Sequence, residues 1–156
     1  MIRRGHDGAS AQVVFDTNVL LSLWVFADSR FARFRALVEC GEWTAYTDTE
    51  CLAEFKRVLG YPQFDLGTER QLQIYANYVA VARQCEVRES FSKPLPRCSD
   101  RDDQKFLDLA RNAGAGWLIT ADKALLRMAR RDKLAGLFRI VTPEAVLTGM
   151  TQAEAA

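Results

Sequence analysis

The stretch Val13-Val14-Phe15-Asp16-Thr17-Asn18-Val19-Leu20-Leu21 decides how the chain is read. Three β-branched or aromatic residues run into an acid, a hydrogen-bonding pair follows, and apolar residues then resume. The run 13–15 predicts a buried strand, and Thr17 with Asn18 predicts a turn and helix N-cap. Asp16 then stands at the carboxyl end of a central strand, where open α/β sheets put their ligand sites. A strand ending in Asp is common, so this reading depends on other acids reaching the same place.

Downstream, residues 18–26 are apolar on most faces and predict a short buried helix. Residues 29–40 carry Phe31, Phe34, Leu37 and Val38 at helical spacing, with Arg33, Arg35 and Glu39 between them, and Gly41 stops the helix. Trp43-Thr44-Ala45-Tyr46 predicts a second strand. Thr47-Asp48-Thr49-Glu50 has the form of a capping box with Thr47 at the cap. The helix it opens carries Leu52, Phe55, Val58 and Leu59 and ends at Gly60, before Pro62. Residues 68–83 predict another helix, residues 85–88 a third strand, and residues 91–99, with Pro94 and Pro96, a loop. Residues 102–112 predict a well-patterned helix closed by Gly114 and Gly116. A fourth strand over 117–120, a basic helix over 122–132, a last strand over 138–141 and a short helix from Pro143 complete the series. Strands alternating with helices of ten or more residues mean βαβ units and a mainly parallel sheet, so the fold class is α/β.

A chain of 156 residues fits one domain, expected over 12–149, between a flexible arm at 1–11 and a tail at 150–156. A hydrophobic share of 49% with 26% charged residues is that of a folded globular protein and argues against disorder. With 21 Lys and Arg against 20 Asp and Glu, the net charge of +1 gives no global attraction for nucleic acid, so any attraction must be local. Cys40, Cys51, Cys85 and Cys98 are widely spaced, which argues against a zinc site and a disulfide framework and fits a reducing cytoplasm. The longest apolar run, 19–27, is interrupted by Ser22 and falls well short of the ~20 residues of a membrane span. The opening Met1-Ile2-Arg3-Arg4-Gly5 is not followed by the apolar core of an export signal. The lone histidine, His6, falls in the expected arm, which argues against histidine-based acid–base catalysis.

Four carboxylates occupy equivalent places in the βα units. Asp16 ends the first strand, Glu54 lies on the second turn of the helix after the second, Asp102 and Asp103 open the helix before the fourth, and Asp122 follows the fourth at Thr120. In a parallel sheet the strand carboxyl ends and the amino ends of the following helices share one edge. Each acid also has a bland reading. Glu54 can be a boundary residue paired with Arg57, and Asp102 or Asp122 can be a helix cap. Glu50 is accounted for by the capping box, and Asp100 by a loop or an outer position. Asp103 shares a helix face with Phe106, Leu107 and Ala110 and is expected to point inward as the direct ligand, with Asp102 in support.

Several carboxylates in one pocket cannot all stay ionised without a compensating cation. An all-oxygen set without His or Cys suits Mg²⁺ or Mn²⁺ and disfavours zinc. One or two ions are expected per site; two held ~4 Å apart would activate a water and stabilise the leaving oxygen in phosphodiester cleavage. Such a site repels nucleic acid unless its rim is positive, and Lys123, Arg127, Arg130, Arg131 and Lys133 supply charge directly after Asp122. A solvated helix face accounts for that run equally well.

The chain resembles the PIN-domain ribonucleases. The motifs are Phe15-Asp16-Thr17-Asn18-Val19-Leu20, the helix segment Glu50-Cys51-Leu52-Ala53-Glu54-Phe55, the segment Asp102-Asp103-Gln104-Lys105-Phe106-Leu107-Asp108-Leu109-Ala110, and Leu118-Ile119-Thr120-Ala121-Asp122-Lys123. They occur in family order and run from about Val13 to Thr142. The likeness is greatest to the toxin components of toxin–antitoxin systems. It implies a three-layer α/β/α fold with a five-stranded parallel sheet in the order 3-2-1-4-5. It also implies Mg²⁺- or Mn²⁺-dependent cleavage of single-stranded RNA to leave 5′-phosphate ends. Asp16, Glu54, Asp103 and Asp122 take the family's acidic positions, and Asn18 and Thr120, with Thr17 and Asp102, are supporting polar groups. A small antitoxin that blocks the acidic groove and a homodimer are the partners implied. Gln104 and Arg101 depart from the family pattern, which often has a third acid and a proline there.

Two other function classes are compatible with parts of the pattern. A non-catalytic RNA- or protein-binding module on this fold would have lost a site acid or locked it in salt bridges. A phosphotransferase using Asp16 as nucleophile calls for an acid two residues on, where this chain has Asn18.

Overall fold

A computed structural model describes residues 11–85, 95–131, 134 and 136–155 of the chain. Five parallel strands form one sheet in the order β3-β2-β1-β4-β5: β1 is Ala11–Phe15, β2 Trp43–Thr47, β3 Arg83–Gln84, β4 Trp117–Ile119 and β5 Arg139–Val141. This is the order and direction expected. The central strand β1 pairs with both neighbours, Val13 facing Ala45 on one side and Trp117 on the other. Val13, Val14 and Phe15 are all buried, and their side chains enter two separate cores. Val13 and Phe15 pack with Phe34, Phe55, Leu59 and Tyr78 on one face, and Val14 packs with Phe106, Leu107, Leu118 and Leu125 on the other. A strand buried on both sides needs a continuous apolar run and not an alternating one. That is the pattern of residues 13–15, and it makes the fold three layers.

Helices α1 (Thr17–Leu20), α2 (Ala32–Glu39), α3 (Thr49–Leu59), α4 (Thr68–Val81), α5 (Gln104–Ala113), α6 (Lys123–Arg127) and α7 (Pro143–Ala155) connect and flank the strands. Several boundaries differ from expectation, each for a local reason. The helix expected over 18–26 is four α-helical residues followed by a wider π-helical turn, Leu21–Val25. Its cap is Asp16 itself, whose side chain accepts from the Val19 N–H, so Thr17 is the first helical residue. The capping box at Thr47 and Glu50 does not form. Thr47 still belongs to β2, where its carbonyl accepts from the Cys85 N–H at 2.8 Å, and Asp48 caps α3 by accepting from the Cys51 N–H at 2.9 Å. The third strand lies at 83–84, because α4 ends at Val81; residues 86–88 of its expected range are outside the described residues. Residues 101–103 form a 3-10 turn capped by Asp100, and α5 begins only at Gln104. The expected basic helix is short, passing at Met128 into a 3-10 turn.

Gly114 closes α5 in the left-handed region at φ +68°, with its N–H turned back to the carbonyls of Ala110 and Arg111, the conformation glycine adopts without strain. The expected arm lies outside the described residues except for Ala11, which already belongs to β1. From residue 150, where the tail is expected, the chain continues α7 to Ala155. Among the described residues no helix is long and apolar enough to cross a membrane.

Candidate active site

The carboxyl ends of β1 and β4 are tied by one hydroxyl. Asp16 is 3% exposed, and its Oδ1 accepts from the Val19 N–H at 2.9 Å. Its Oδ2 accepts a short hydrogen bond from Thr120 Oγ1, which in turn accepts from the Asp122 N–H at 2.9 Å. Asp122 caps α6, its Oδ1 accepting from the Ala124 N–H at 2.7 Å and the Leu125 N–H at 3.4 Å. Register sets this up. Phe15 pairs with Ile119, so the next residues, Asp16 and Thr120, leave the sheet side by side. Burial pushes the Asp16 carboxyl up to about 6, against the hydrogen bonds of Thr120 and Val19; the charges of Asp122 and Glu54 add to the rise.

Glu54 reaches the same edge from α3. Its neighbours in sequence suggested Arg57 as partner, but that guanidinium stands 3.9 Å away and is largely exposed. The close partner is Lys105 on α5, with Nζ 2.6 Å from Oε1 and both side chains mostly buried. Oε2 takes a short hydrogen bond from Thr17 Oγ1. Thr17, read from sequence as a cap, therefore locks α1 to α3.

Asp103, in the 3-10 turn before α5, turns into the cleft, while Asp102 stays exposed at its rim. Asp103 Oδ2 is buried and finds no hydrogen-bond partner among the described residues. Desolvation raises this carboxyl to about 7, and the negative charges of Asp122, Asp100, Asp16 and Glu54 raise it further.

These acids share one cleft of about 250 Å³, lined by Asp16, Glu54, Asp102, Asp103 and Asp122, with Thr17 and Asn18 beside them. A model of the PIN domain matches residues 12–124, more than half of the chain and all of the strand ends that build the cleft. The chain belongs to the PIN-domain family. No curated protein matches it in sequence. PIN domains are generally nucleases, typically use divalent metal ions and act on nucleic acid.

In this PIN domain the donor set fits a hard divalent cation. Every candidate ligand is a carboxylate oxygen, and the orphaned Asp103 Oδ2 is a buried oxygen left without a partner among the described residues. The set is not a closed cage, since among the described residues no three acidic, His or Cys side chains already converge on a common point.

The expected positive rim is only partly at this cleft. Lys123, Arg127 and Arg130 line a neighbouring groove of about 470 Å³, and Arg131 is exposed beyond it; Lys133 lies outside the described residues. Arg57, Tyr61 and Phe64 are what the cleft itself presents, with the Tyr61 and Phe64 rings parallel to within 6°. Sequence reasoning gave Arg57 a role only as a partner of Glu54, and gave none to Tyr61, Phe64 or Lys105. A signal for Lys105 did exist: a lysine in the first turn of a helix opposes the helix dipole and calls for an acid nearby.

Proposed function

We propose that this PIN domain is a metal-dependent endoribonuclease that cleaves single-stranded RNA, with Mg²⁺ or Mn²⁺ as its cofactor. The observation that supports it most is the buried, unpartnered Asp103 Oδ2 in a cleft where Asp16, Glu54 and Asp122 also meet. Asp16, Asp103 and Asp122 would hold the cation. When bound, the cation supplies Lewis-acid chemistry, lowering the pKa of water and offsetting charge on the phosphoryl oxygens. The chain's own groups orient the reaction. Thr120 fixes Asp16 against β4, Thr17 fixes Glu54, and Asn18 presents an exposed amide beside them. Arg57 offers a phosphate contact, and the Tyr61 and Phe64 rings offer faces on which unpaired bases can stack. Base stacking favours a single strand over a duplex, whose bases are already stacked.

The motif order supports a role as the toxin of a type II toxin–antitoxin pair in the cytoplasm, with a small antitoxin and a homodimer as partners. A neighbouring reading frame whose product co-purifies with the chain and blocks cleavage would establish that role; a chain that cleaves RNA but has no such partner would remove it. For the chemistry, Asp16→Asn is expected to lower Mn²⁺-dependent cleavage of a single-stranded oligoribonucleotide at least a hundredfold with the circular dichroism spectrum unchanged. Full activity in that variant would end the proposal.

A second reading, a binding module without catalysis, has one observation on its side: Glu54 is engaged in an ion pair with Lys105. Mn²⁺ separates the two readings. A cation-dependent nuclease gains thermal stability with added Mn²⁺, and a module that has lost its chemistry does not.

A further inference from the structure

Lys105 is an unusual residue for its place. It sits in the first turn of α5, its side chain is 13% exposed, and its Nζ lies 2.6 Å from Glu54 Oε1. The same Nζ makes a short hydrogen bond to the Asp102 carbonyl and lies 5.1 Å from the centre of the Phe106 ring. A charged lysine is held this far from water only where paired acids compensate it. The carboxylates around it differ in the charge of their partners. Glu54 Oε1 pairs with the Lys105 ammonium, and Oε2 accepts from the Thr17 hydroxyl. Each Asp16 oxygen also accepts one hydrogen bond, but from uncharged donors, the Val19 N–H and the Thr120 hydroxyl. Asp122 is engaged through Oδ1 by two backbone N–H groups, and Asp103 Oδ2 has no partner among the described residues.

We propose that Lys105 is a built-in counter-cation that holds Glu54 as a fixed, non-ligating carboxylate, so that the cleft binds a single divalent ion, on Asp103 with Asp16 and Asp122. The inference rests on the metal-dependent reading given above and narrows it from one or two ions to one. A second divalent ion would have to take Glu54 Oε1 from an ammonium already in contact with it, and would stand beside that like charge. Lys105 is thus a positioning residue. It keeps Glu54 aimed into the cleft without a metal bond.

The test is a Mn²⁺ titration of the full chain, with free Mn²⁺ read by electron paramagnetic resonance. One ion per chain is expected for the wild type. Lys105→Gln, which removes the charge and keeps the bulk, is expected to bind a second ion. Glu54→Gln is expected to leave the affinity for the single ion within threefold, whereas Asp103→Asn lowers it at least thirtyfold. Two ions in the wild type, a single ion in Lys105→Gln, or equal losses in Glu54→Gln and Asp103→Asn would each overturn the inference. Should Lys105→Gln fail to fold, the comparison of Glu54→Gln with Asp103→Asn decides alone. No Mn²⁺ binding by the wild type would remove the metal-dependent reading itself, a result distinct from a two-ion stoichiometry.

Discussion

Asp16 and Asp103 carry raised carboxyl pKa values for the same main reason, loss of water, but in different company. Asp16 has two hydrogen bonds that partly offset its burial, and Asp103 Oδ2 has none among the described residues. The folded chain therefore retains protons that the unfolded chain has already released. Their contribution to stability is complete below the ordinary value of 3.8 and is lost as pH rises through about 6 for Asp16 and about 7 for Asp103. Metal-free protein is expected to melt at progressively lower temperature between pH 5 and pH 8. Asp103→Asn should raise the midpoint at pH 7.5 by a few degrees and flatten the slope, as should Mn²⁺ added to the wild type. Differential scanning calorimetry across that range checks this; a variant with the wild-type slope would show that Asp103 is not the group titrating.

At the level of elements, an acid begins each segment at the site edge. Asp16 caps α1, Asp48 caps α3, Asp100 caps the turn before α5 and Asp122 caps α6. Two of these, Asp16 and Asp122, also face the cleft, so their carboxylates both start a helix and build the site. Asp48 does only the first. Removing a cap costs about 1 kcal/mol, so Asp48→Ala and Asp122→Ala should lose comparable stability in urea denaturation. RNA cleavage should survive the first substitution and disappear with the second. Equal activity in both variants would reduce Asp122 to a cap.

Over the whole molecule, charge is near balance, and the positive side chains are placed where an acidic cleft needs them. Arg57 is at the cleft, and Lys123, Arg127 and Arg130 line the groove next to it. If RNA runs from cleft to groove, each phosphate contact adds about 0.7 to the slope of log affinity against log salt for a single strand. Replacing Lys123, Arg127 and Arg130 by Gln is then expected to lower that slope by about 2 and to weaken binding at low salt far more than at high salt. Fluorescence anisotropy of a labelled oligoribonucleotide over a salt series measures it. An unchanged slope would mean that the basic run is only a solvated helix face.

The sequence by itself determined what depends on neighbours along the chain. The run 13–15, apolar on both faces, specified a central strand; the apolar positions Phe106, Leu107 and Ala110 marked the buried face of α5; and Gly114 marked where α5 must stop. Together these made the α/β class, the strand order implied by the family likeness, and the gathering of four acids on one edge legible. What only the tertiary structure decided depends on contacts across the fold. Thr120 and Asp16 are 104 residues apart, and Thr17 and Glu54 are 37 apart, so no local spacing could join them. The same holds for Lys105, which sequence spacing leaves as one charge among several. The packing of α3 against α5 brings its ammonium to Glu54 and takes it out of water. Local propensity places a carboxylate at the end of a strand or helix; which cation or hydroxyl reaches it is settled by the packing of layers distant in sequence.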